Sequence, residues 1–548
     1  MPKMTYHDKR VLIVDDQRPF LVMLRSTMNT LGATSVMVAE SGEVAIAACQ
    51  QEKFDIIISD LELGDGRRNG FQLLEELRGK KLIKPETIFL MVSGDSQRPM
   101  VLGTVEKQPD DYLIKPFSQA QLNNRISKCW AKRSALKSLY VHLMNDDVKN
   151  AIIACKDAIT SGSRYRQYCS LIMTELLWRE NKFELAVSIL NPLVRDKQLP
   201  WAVLAMAKTK MYMRQFEEAI NLAKNILDSK MLAADAHDIL AQCYLRTEKL
   251  EESCLEIKKA IELSPYSIER QYLGCEIAQA SGDYEFAKNC CLAILDQSRR
   301  SVHKNISHMC NYIRSILDLA EHASEQKDSN KYQQDAMIEL QRQKQTELVR
   351  HSPQPFDFNA FESIVSARIN VIQGKLQNAK RALSDSQKKI EGKFEEYPLA
   401  LAPDTIKVMF DLGEYEQASH LIGTLKKHNH PNDPYTRKML SSDLKKAQKN
   451  IGDYNKYNKE GIAEYNLGQH QAAYEAFHKA LEQAPTNAGV IINLLQVIIK
   501  LLAKTSKPDI NLKKECRTLF RNVDGLHLPE AHQKRLATLT TELQPYLE

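Results

Sequence analysis

Short apolar runs alternate with amphipathic stretches over the first 128 residues of the chain. The apolar runs cover residues 10–14, 54–59, 88–92 and 112–114. Strands of this length, separated by stretches of helical period, are typical of a parallel sheet that helices cover on both faces. In such sheets the functional side chains lie at the carboxyl ends of the strands. The pattern therefore predicts an α/β domain with its chemistry at one edge of the sheet.

Beyond this domain the apolar positions follow a helical period, and the pattern repeats. Each unit begins with an aromatic or leucine residue that is followed three positions later by a small residue. The leading residues are Phe183, Phe216, Leu250 and Tyr284, at intervals of 33, 34 and 34 residues. The partner helices carry small residues at the same phase, namely Ala207, Ala241 and Cys275. Because antiparallel helices approach closely only at small side chains, the sequence predicts a stack of helix pairs.

The connections between these regions set the expected domain boundaries. Ser118 and Gln121 form a capping-box pattern, and no breaker follows until about Met144. We therefore predict one helix that runs from the α/β domain into the repeats, the alternative being a break near residues 131–134. The predicted organisation is 1–128 for the α/β domain, 129–144 for the linker helix, 145–300 for repeats, 301–360 for an irregular long-helix segment, 361–485 for further repeats and 486–548 for a C-terminal helical cap.

Composition narrows the classes of function. Among 548 residues, 75 Lys and Arg face 69 Asp and Glu, and residues 1–128 carry 17 of each sign, so the surplus of +6 lies on the repeats. No segment concentrates basic charge, which argues against nucleic acid as a partner. The eleven cysteines are scattered without a CxxC pair, as in a reducing compartment. The sequence shows no signal peptide, and its most apolar stretch, residues 490–502, is short for a membrane span, so we expect a cytoplasmic protein without a membrane partner.

The candidate functional residues directly follow the ends of the predicted strands. Asp15 and Asp16 follow the first apolar run, Asp60 the second, Ser93 the third and Lys115 the fourth. Clustered carboxylates repel one another unless a divalent cation neutralises them, and hard oxygen ligands suit Mg²⁺. A lysine beside them can hold a phosphoryl oxygen as a point charge. Together the five side chains predict a site for Mg²⁺ and a phosphoryl group.

These residues give the N-terminal region a close resemblance to the receiver domain of two-component response regulators, over about residues 8–130. The matching pieces are residues 14–16, residues 39–42 with Ala45, Asp60, residues 93–94 and residues 111–117. The resemblance implies a flavodoxin-like fold with a five-stranded parallel sheet of order 2-1-3-4-5. It also implies that Asp60 is the phosphoacceptor and takes its phosphoryl group from a sensor histidine kinase or a phosphotransfer protein.

The resemblance also implies the ligands of Mg²⁺. Asp16, Asp60 and the backbone carbonyl of Glu62 would bind the ion directly, and Asp15 would act through a water molecule. The bound phosphoryl group would add its own negative charge, which the metal compensates during transfer.

Other roles come from the same resemblance. Ser93 would hydrogen-bond one phosphoryl oxygen, and Lys115 would pair with another. Tyr112 falls where the family keeps its aromatic switch side chain, and the Lys115–Pro116 bond is a candidate cis peptide. Phosphorylation would then remodel the surface over about residues 94–128, which could also serve as a dimer interface.

The loop after Asp60 departs from the family pattern. The family usually has proline four residues and glycine eight residues after the phosphoacceptor, whereas this chain has Gly64 and Gly70. The loop is therefore two residues longer, and Glu62 and Asp95 place acidic side chains at the two variable positions beside the phosphoryl group. Since the phosphoacceptor and the metal candidates persist, we interpret the departure as altered partner contact or phosphoryl lifetime.

The repeats resemble the tetratricopeptide repeat, which stacks helix pairs into an all-α superhelix. The unit at residues 457–485 keeps the small and aromatic positions of that repeat, namely Gly461, Ala473, Phe477, Ala480 and Pro485. The resemblance implies a concave groove that holds a protein or peptide partner.

The two resemblances together predict a response regulator that acts as an adaptor or inhibitor. Its array would bind a protein partner in a phosphorylation-dependent way. One alternative is a phosphate sink that competes for a sensor kinase, and another is a transcription regulator with a tetratricopeptide repeat output. Beyond self-phosphorylation and autodephosphorylation of the receiver, we expect no enzyme activity.

Overall fold

The computed structural model describes residues 4–64, 68–94, 108–196, 198–228, 232–299, 301, 303–428, 433–503 and 510–547. The chain divides into two compact units. Unit 1 comprises Met1–Ser281 with Asp296–Lys304, and unit 2 comprises Gly282–Leu295 with Asn305–Glu548. The division falls close to the point where the sequence loses its repeat phase.

Unit 1 begins with a five-stranded sheet in which all neighbouring strands are parallel. The strands are β1 (Arg10–Val14), β2 (Ser35–Ala39), β3 (Ile56–Asp60), β4 (Ile88–Ser93) and β5 (Asp111–Ile114). Their order in the sheet is β2-β1-β3-β4-β5. The central strands are buried on both faces, which explains their continuous apolar runs. The predicted flavodoxin-like fold and its strand order are confirmed.

Four described helices cover the two faces of this sheet: α1 (Arg18–Thr30), α2 (Gly42–Gln51), α3 (Gly70–Gly79) and α4 (Gln119–Ala135). On one face, Leu24 of α1 and Ile126 of α4 share a core with Ile13. On the other face, Ile46 of α2 and Leu77 of α3 share a core with Leu12. The alternation of side chains along β1 therefore supplies both cores, as expected for a strand with helices on each side.

The linker helix departs from the prediction of one unbroken helix. α4 ends at Ala135, and a second helix, α5 (Lys137–Met144), follows after Leu136, whose φ is −112° and ψ is 25°. Arg133 of α4 bonds both oxygens of Asp110, at 2.7 and 3.0 Å, and so belongs to the α/β domain. Tyr140 of α5 packs instead with the first repeat helices. The chain turns at Leu136 because the two helices follow different surfaces.

The rest of unit 1 consists of helix pairs, and the predicted repeat positions begin their second helices. The helices are α6 (Val148–Thr160), α7 (Arg166–Arg179), α8 (Phe183–Arg195), α9 (Pro200–Tyr212), α10 (Phe216–Lys224), α11 (Ala233–Arg246), α12 (Leu250–Leu263) and α13 (Ile268–Ser281), and α14 (Tyr284–Ser298) contributes residues to both units. Ala207, Ala241 and Cys275 are fully buried, as expected where neighbouring helices approach closely.

Unit 2 is also helical. Its further helices are α15 (Ile306–Glu321), α16 (Gln326–Lys344), α17 (Glu347–Arg350), α18 (Phe358–Ile372), α19 (Leu376–Glu391), α20 (Ala402–Leu412), α21 (Tyr415–Lys427), α22 (Pro434–Asn466), α23 (His470–Gln483), α24 (Ala488–Ala503), α25 (Ile510–Val523) and α26 (Glu530–Leu547). A Cβ on Gly461 would lie 2.7 Å from ring atoms of Phe477, so any larger residue would force the buried ring to shift. Within the described ranges, no helix combines the length and the apolar character needed to cross a membrane.

Helix α22 is longer than the repeat pattern predicts. The repeat resemblance begins at Tyr457, whereas the helix begins at Pro434 and runs for 33 residues. The side chain of Asp433 caps it by accepting a hydrogen bond from the amide of Thr436 at 2.8 Å. The residues before 457 form an additional helical segment that precedes the last repeat.

A group of charged side chains lies among α15, α18, α20 and α22. Arg368 donates to Asp318 at 2.7 Å and to Asp404 at 3.2 Å, and Arg314 donates to both oxygens of Asp404, at 3.0 and 2.7 Å. Both arginines are 1% exposed. We call the group the Arg368 cluster, and its members are Arg314, Asp318, Glu321, Arg368, Asp404, Lys407, Asp411 and Asp443.

Candidate functional site

Three carboxylates meet at the carboxyl edge of the sheet. Asp15 follows β1 directly, Asp16 is the next residue, and Asp60 is the last residue of β3, which lies beside β1. One carboxylate oxygen of each lies within 4.8 Å of the other two. Asp15 and Asp60 are buried and Asp16 is exposed, so the cluster opens to solvent on one side.

Lys115 joins this cluster from the end of β5. Its Nζ lies 2.8 Å from Asp15 Oδ2 and 2.9 Å from Asp60 Oδ2. The same ammonium lies 3.9 Å from the centroid of the Phe20 ring, a cation–π contact that helps to hold it. The Lys115–Pro116 peptide bond is cis. The sheet thus brings together four side chains that are spread over 100 residues of sequence.

The electrostatics of the cluster favour a bound cation. Burial raises the pKa of Asp60 to about 6, against the lowering effect of the Lys115 ammonium, and the charge of Asp15 adds to the rise. Burial lowers the pKa of Lys115, but its hydrogen bonds to Asp15 and Asp60 outweigh this and raise it overall. Three carboxylates face one lysine, which leaves excess negative charge at an opening to solvent. Hard oxygen ligands in this arrangement fit Mg²⁺, with Asp15, Asp16 and Asp60 as the residues that would hold it.

The backbone fixes the orientation of Asp60. Its Oδ1 accepts a hydrogen bond from the amide of Leu61 at 2.8 Å, while its Oδ2 receives Lys115. The side chain of Glu62 is exposed and lies outside the carboxylate cluster. Asp60 therefore presents its carboxylate from a strand end that the sheet holds rigidly.

Ser93 and Tyr112 lie on the two strands that complete this edge of the sheet. Ser93 ends β4, is paired with Ile114 in the sheet register and accepts the amide of Lys115 through its carbonyl at 2.8 Å. Tyr112 lies on β5 with its ring centroid 6.3 Å from that of Phe71 at the start of α3. Tyr112 thus contacts the helix that follows the loop after Asp60.

Helix α3 begins directly against the backbone of Asp60. A Cβ on Gly70 would lie 2.5 Å from the carbonyl oxygen of Asp60 and 2.6 Å from Met91 Sδ, so only glycine fits. Asn69 and Gln72 form a capping box on the helix. The longer loop predicted after Asp60 therefore ends at a helix start that contacts the backbone of Asp60. Residues 65–67 of this loop lie outside the described residues.

The outer side of α3 contacts the end of unit 1. Gln72 Nε2 donates to the carbonyl of Gln297 at 3.0 Å, and Glu75 Oε1 lies 2.7 Å from His303 Nε2. The partners are 225 and 228 residues apart in sequence. No sequence pattern predicts this contact, because neither Gln297 nor His303 belongs to a local motif.

Two predictions fall on parts of the chain that are not described. Asp95 lies outside the described residues, as does most of the first half of the expected dimer surface, residues 95–107. Of the surface predicted over 94–128, the described part consists of Gly94 and residues 108–128.

Comparisons with protein families identify both regions. The model of the response regulator receiver domain matches residues 11–127, and that of the tetratricopeptide repeat matches residues 204–268. The chain therefore contains a response regulator receiver domain followed by tetratricopeptide repeats, as predicted from its motifs.

Several bacterial proteins are similar to the receiver region. The alkaline phosphatase synthesis transcriptional regulatory protein PhoP of Bacillus subtilis is 31% identical over 146 residues, which are 27% of this chain and 58% of PhoP. The virulence sensor protein BvgS of Bordetella bronchiseptica is 30% identical over 131 residues, 23% of this chain and 10% of BvgS. The chain thus spans less than two thirds of the length of either protein.

Chemotaxis proteins are similar over nearly their whole length. Chemotaxis protein CheY-3 of Vibrio cholerae is 23% identical over 123 residues, 22% of this chain and 92% of CheY-3. Among solved structures, the chemotaxis response regulator CheY4 of Vibrio cholerae is 26% identical with a TM-score of 0.20, and the match covers 22% of this chain and 98% of CheY4.

Proposed function

We propose that this chain, a receiver domain joined to tetratricopeptide repeats, is a response regulator that a histidine kinase or phosphotransfer protein phosphorylates on Asp60 in a bacterial cytoplasm. The observation that carries the proposal is the contact of Lys115 with both Asp15 and Asp60, at 2.8 and 2.9 Å. It places one ammonium beside a group of three carboxylates that opens to solvent at Asp16. Such a site can exchange its internal cation contacts for a metal and a phosphoryl group.

The chemistry follows from how Asp60 is held. Mg²⁺, bound by Asp15, Asp16 and Asp60 with the Glu62 carbonyl, would supply positive charge for the equatorial oxygens of the phosphoryl group. An oxygen of Asp60 forms the new O–P bond as the P–N bond of a donor phosphohistidine breaks, and the imidazole keeps the electron pair and takes a proton. The Leu61 amide keeps the Asp60 carboxylate oriented. Lys115 leaves its contact with Asp60 and pairs with a phosphoryl oxygen, while the hydroxyl of Ser93 donates to another.

The output function is proposed to be phosphorylation-dependent binding of a protein partner. The receiver and the repeats of unit 1 meet through α3, whose first residue packs on the backbone of Asp60 and whose Gln72 donates to Gln297. A rearrangement around Asp60, with Tyr112 moving against Phe71, would shift α3 and weaken or reposition its contact with residues 296–304. Phosphorylation would therefore change the populations of two positions of α3, one in contact with residues 296–304 and one shifted away from them. The repeats would then present a different surface to the partner, as in an adaptor or inhibitor.

Phosphorylation can be tested on the full chain. Acetyl phosphate with Mg²⁺ should add the mass of one phosphoryl group to the wild type, and tryptic mapping should place it on Asp60. Asp60→Asn should lose it completely, whereas Asp8→Asn, a change at a highly exposed carboxylate, should keep it. Equal labelling of wild type and Asp60→Asn would overturn the site assignment. Pull-downs with the phosphorylated wild type and Asp60→Asn then test the output, and identical sets of bound proteins would refute phosphorylation-dependent binding.

A further inference from the structure

The first half of α22 is held in unit 2 by a narrow stripe of side chains. Tyr435, Met439, Asp443 and Ala447 are at most 8% exposed and recur at every fourth position, with Thr436 buried beside the first. By contrast, ten of the eleven residues of α20 are buried. The exposed side of the segment carries basic residues, namely Arg437, Lys438, Lys445, Lys446 and Lys449. The segment therefore lies on the surface of its neighbours.

Polar contacts fix this segment to α15. The hydroxyl of Tyr435 donates to Asp318 Oδ2 at 2.5 Å, and Arg314 donates to the hydroxyl of Thr436 at 2.8 Å. The amide of Asn311 donates to Asp433 Oδ1 at 3.0 Å. Two turns later, Asp443 approaches Lys407 of α20 at 3.6 Å. One helical segment thus contacts both α15 and α20, and we call the surface formed by these two helices, with Arg368 of α18 between their carboxylates, the α15–α20 surface.

The α15–α20 surface is charged where residues 433–443 contact it through polar side chains, and its own charged residues pair with one another, whereas Leu440 and Ala447 pack against the apolar core of unit 2. Arg314 and Arg368 of α15 and α18 both bind Asp404 of α20, independently of α22. Uncovering an apolar surface exposes it to water at a cost, whereas uncovered charges regain hydration. A charged surface of this kind therefore tolerates both a covered and an open state, which suits a contact that can be exchanged.

The fit of Asp443 to this surface is imperfect. The surface already has four carboxylates for three cations, and Asp443 adds a further negative charge. Asp443 Oδ2 is buried and has no hydrogen-bond partner among the described residues. Burial raises the pKa of Asp443, in keeping with this position. A neutral amide at the same place would keep the approach to Lys407 without the excess charge.

We propose that the α15–α20 surface is a binding site for a helix of a protein partner and that residues 433–450 occupy it in the unbound chain. The partner helix would begin with a capping Asp or Asn, carry Tyr two residues later and present a neutral amide in place of Asp443. The chain's own segment is then an intramolecular ligand that binds less well than the partner helix, because Asp443 adds an unfavourable negative charge. The proposal rests on the proposed role of the array in binding a protein and names the site of that binding.

A labelled peptide tests the site in the full-length chain. The peptide has the sequence of residues 433–452 with Asp443→Asn, carries fluorescein, and is titrated by fluorescence anisotropy. Tyr435→Ala with Thr436→Ala removes two contacts to α15 and should release the internal segment. This double variant should bind the peptide at least tenfold more tightly than the wild type. Lys438→Ala with Lys446→Ala, on the exposed side, should bind like the wild type. Equal affinity of the double variant and the wild type would overturn the proposal.

Hydrogen exchange measured by mass spectrometry separates release of the segment from unfolding of unit 2. In the double variant, exchange should accelerate over 433–450 while α15, α20 and α23 keep their protection. Loss of protection in α15 and α20 as well would make the segment part of the fold and would refute the proposal. Neither measurement needs phosphorylation, so failure of Asp60 to accept phosphate would leave this result unaffected, and failure of peptide binding would leave the proposed phosphorylation of Asp60 unaffected.

Discussion

Two lysines in this chain are surrounded by carboxylates, and their surroundings differ in an instructive way. Lys115 of the receiver contacts Asp15 and Asp60, and Lys407 of unit 2 lies 3.0 Å from Glu321 and 3.6 Å from Asp443. The receiver carboxylates with Lys115 and the Arg368 cluster each carry a formal net charge of −2. The receiver has three carboxylates for one cation, and the Arg368 cluster has five carboxylates for three cations.

The difference lies in what separates the carboxylates. In the Arg368 cluster, two buried guanidinium groups stand between Asp318 and Asp404 and bind them through planar, always charged forks. In the receiver a single ammonium, a compact point charge, leaves three carboxylate oxygens within 4.8 Å of one another. Only this grouping could hold a metal ion among the described residues. An excess of negative charge alone does not make a metal site. The carboxylate oxygens must also lie close enough together to bind one ion.

Removal of Arg368 should disrupt the Arg368 cluster and strongly destabilise unit 2. Arg368→Met leaves Asp318 and Asp404 buried with one fewer cation, and removing one partner of a buried ion pair costs about 3–5 kcal/mol. We expect hydrogen exchange in α15, α18 and α20 to accelerate by the factor that corresponds to this loss of stability. Arg342→Met is the matched control, because its pair with Glu339 is 73% exposed on the arginine side. Unchanged protection in Arg368→Met would show that the arginines do not hold the cluster together.

Removal of Lys115 should change the affinity of the receiver for Mg²⁺. Lys115→Ala removes the ammonium that competes with Mg²⁺ for Asp15 and Asp60, so the affinity for Mg²⁺ should rise by about tenfold, roughly 1.4 kcal/mol. The same variant should lose most of its phosphorylation by acetyl phosphate. Isothermal titration of Mg²⁺ measures the affinity, with Lys80→Ala as the control, because Lys80 is an exposed lysine that pairs with the buried Glu76 and not with the three aspartates. An unchanged or weaker affinity would mean that Lys115 does not compete with the metal.

The stability of unit 2 should depend weakly on pH through Asp411. Burial raises the pKa of Asp411 to about 6, above its ordinary value, despite the nearby Lys407 ammonium. The folded form therefore holds this proton more tightly than the unfolded chain, and unit 2 should gain stability as pH falls from about 7 towards 4. Because the Asp411 side chain is 31% exposed, we expect a gain of about 1 kcal/mol or less.

The pH effect is measured by hydrogen exchange of α20 peptides, corrected for the intrinsic pH dependence of exchange. Asp411→Asn should reduce the dependence and leave the part that comes from Asp443, whose pKa burial also raises. Glu321 has the opposite shift, with its pKa lowered to about 2 because Lys407 and Arg368 outweigh burial, so its contribution to stability is lost only below about pH 4.5. A stability that falls steadily from pH 7 to 5 would contradict the assignment to Asp411.

The same comparison explains what the sequence could reveal. Asp15, Asp60 and Lys115 follow apolar strands, and parallel strands bring their carboxyl ends to one edge, so topology alone gathers them. Arg314 and Asp318 are four residues apart on a helix, a spacing that is also typical of an exposed ion pair. Their burial depends on α18, α20 and α22 converging on α15, which no local pattern encodes. The clustering of the receiver aspartates with Lys115 was therefore predictable from the sequence, and the Arg368 cluster was not.

Two further features of the fold have no signal in the sequence, for physical reasons. The segment of α22 before residue 457 lacks the apolar stripe of a repeat helix, since its buried positions include Thr436 and Asp443. The break at Leu136 carries no glycine or proline, because it arises from the different surfaces that α4 and α5 follow. In both cases tertiary contacts decide what propensity leaves open.

The contact between Glu75 and His303 also has a consequence for the order of synthesis. His303 is made 228 residues after Glu75, which at 5–20 residues per second is a delay of about 10–45 s. The receiver emerges from the ribosome and folds well before His303 has been synthesised. In every newly made chain there is therefore a period in which the surface of α3 that later contacts His303 is exposed to solvent and the carboxylate site is already assembled.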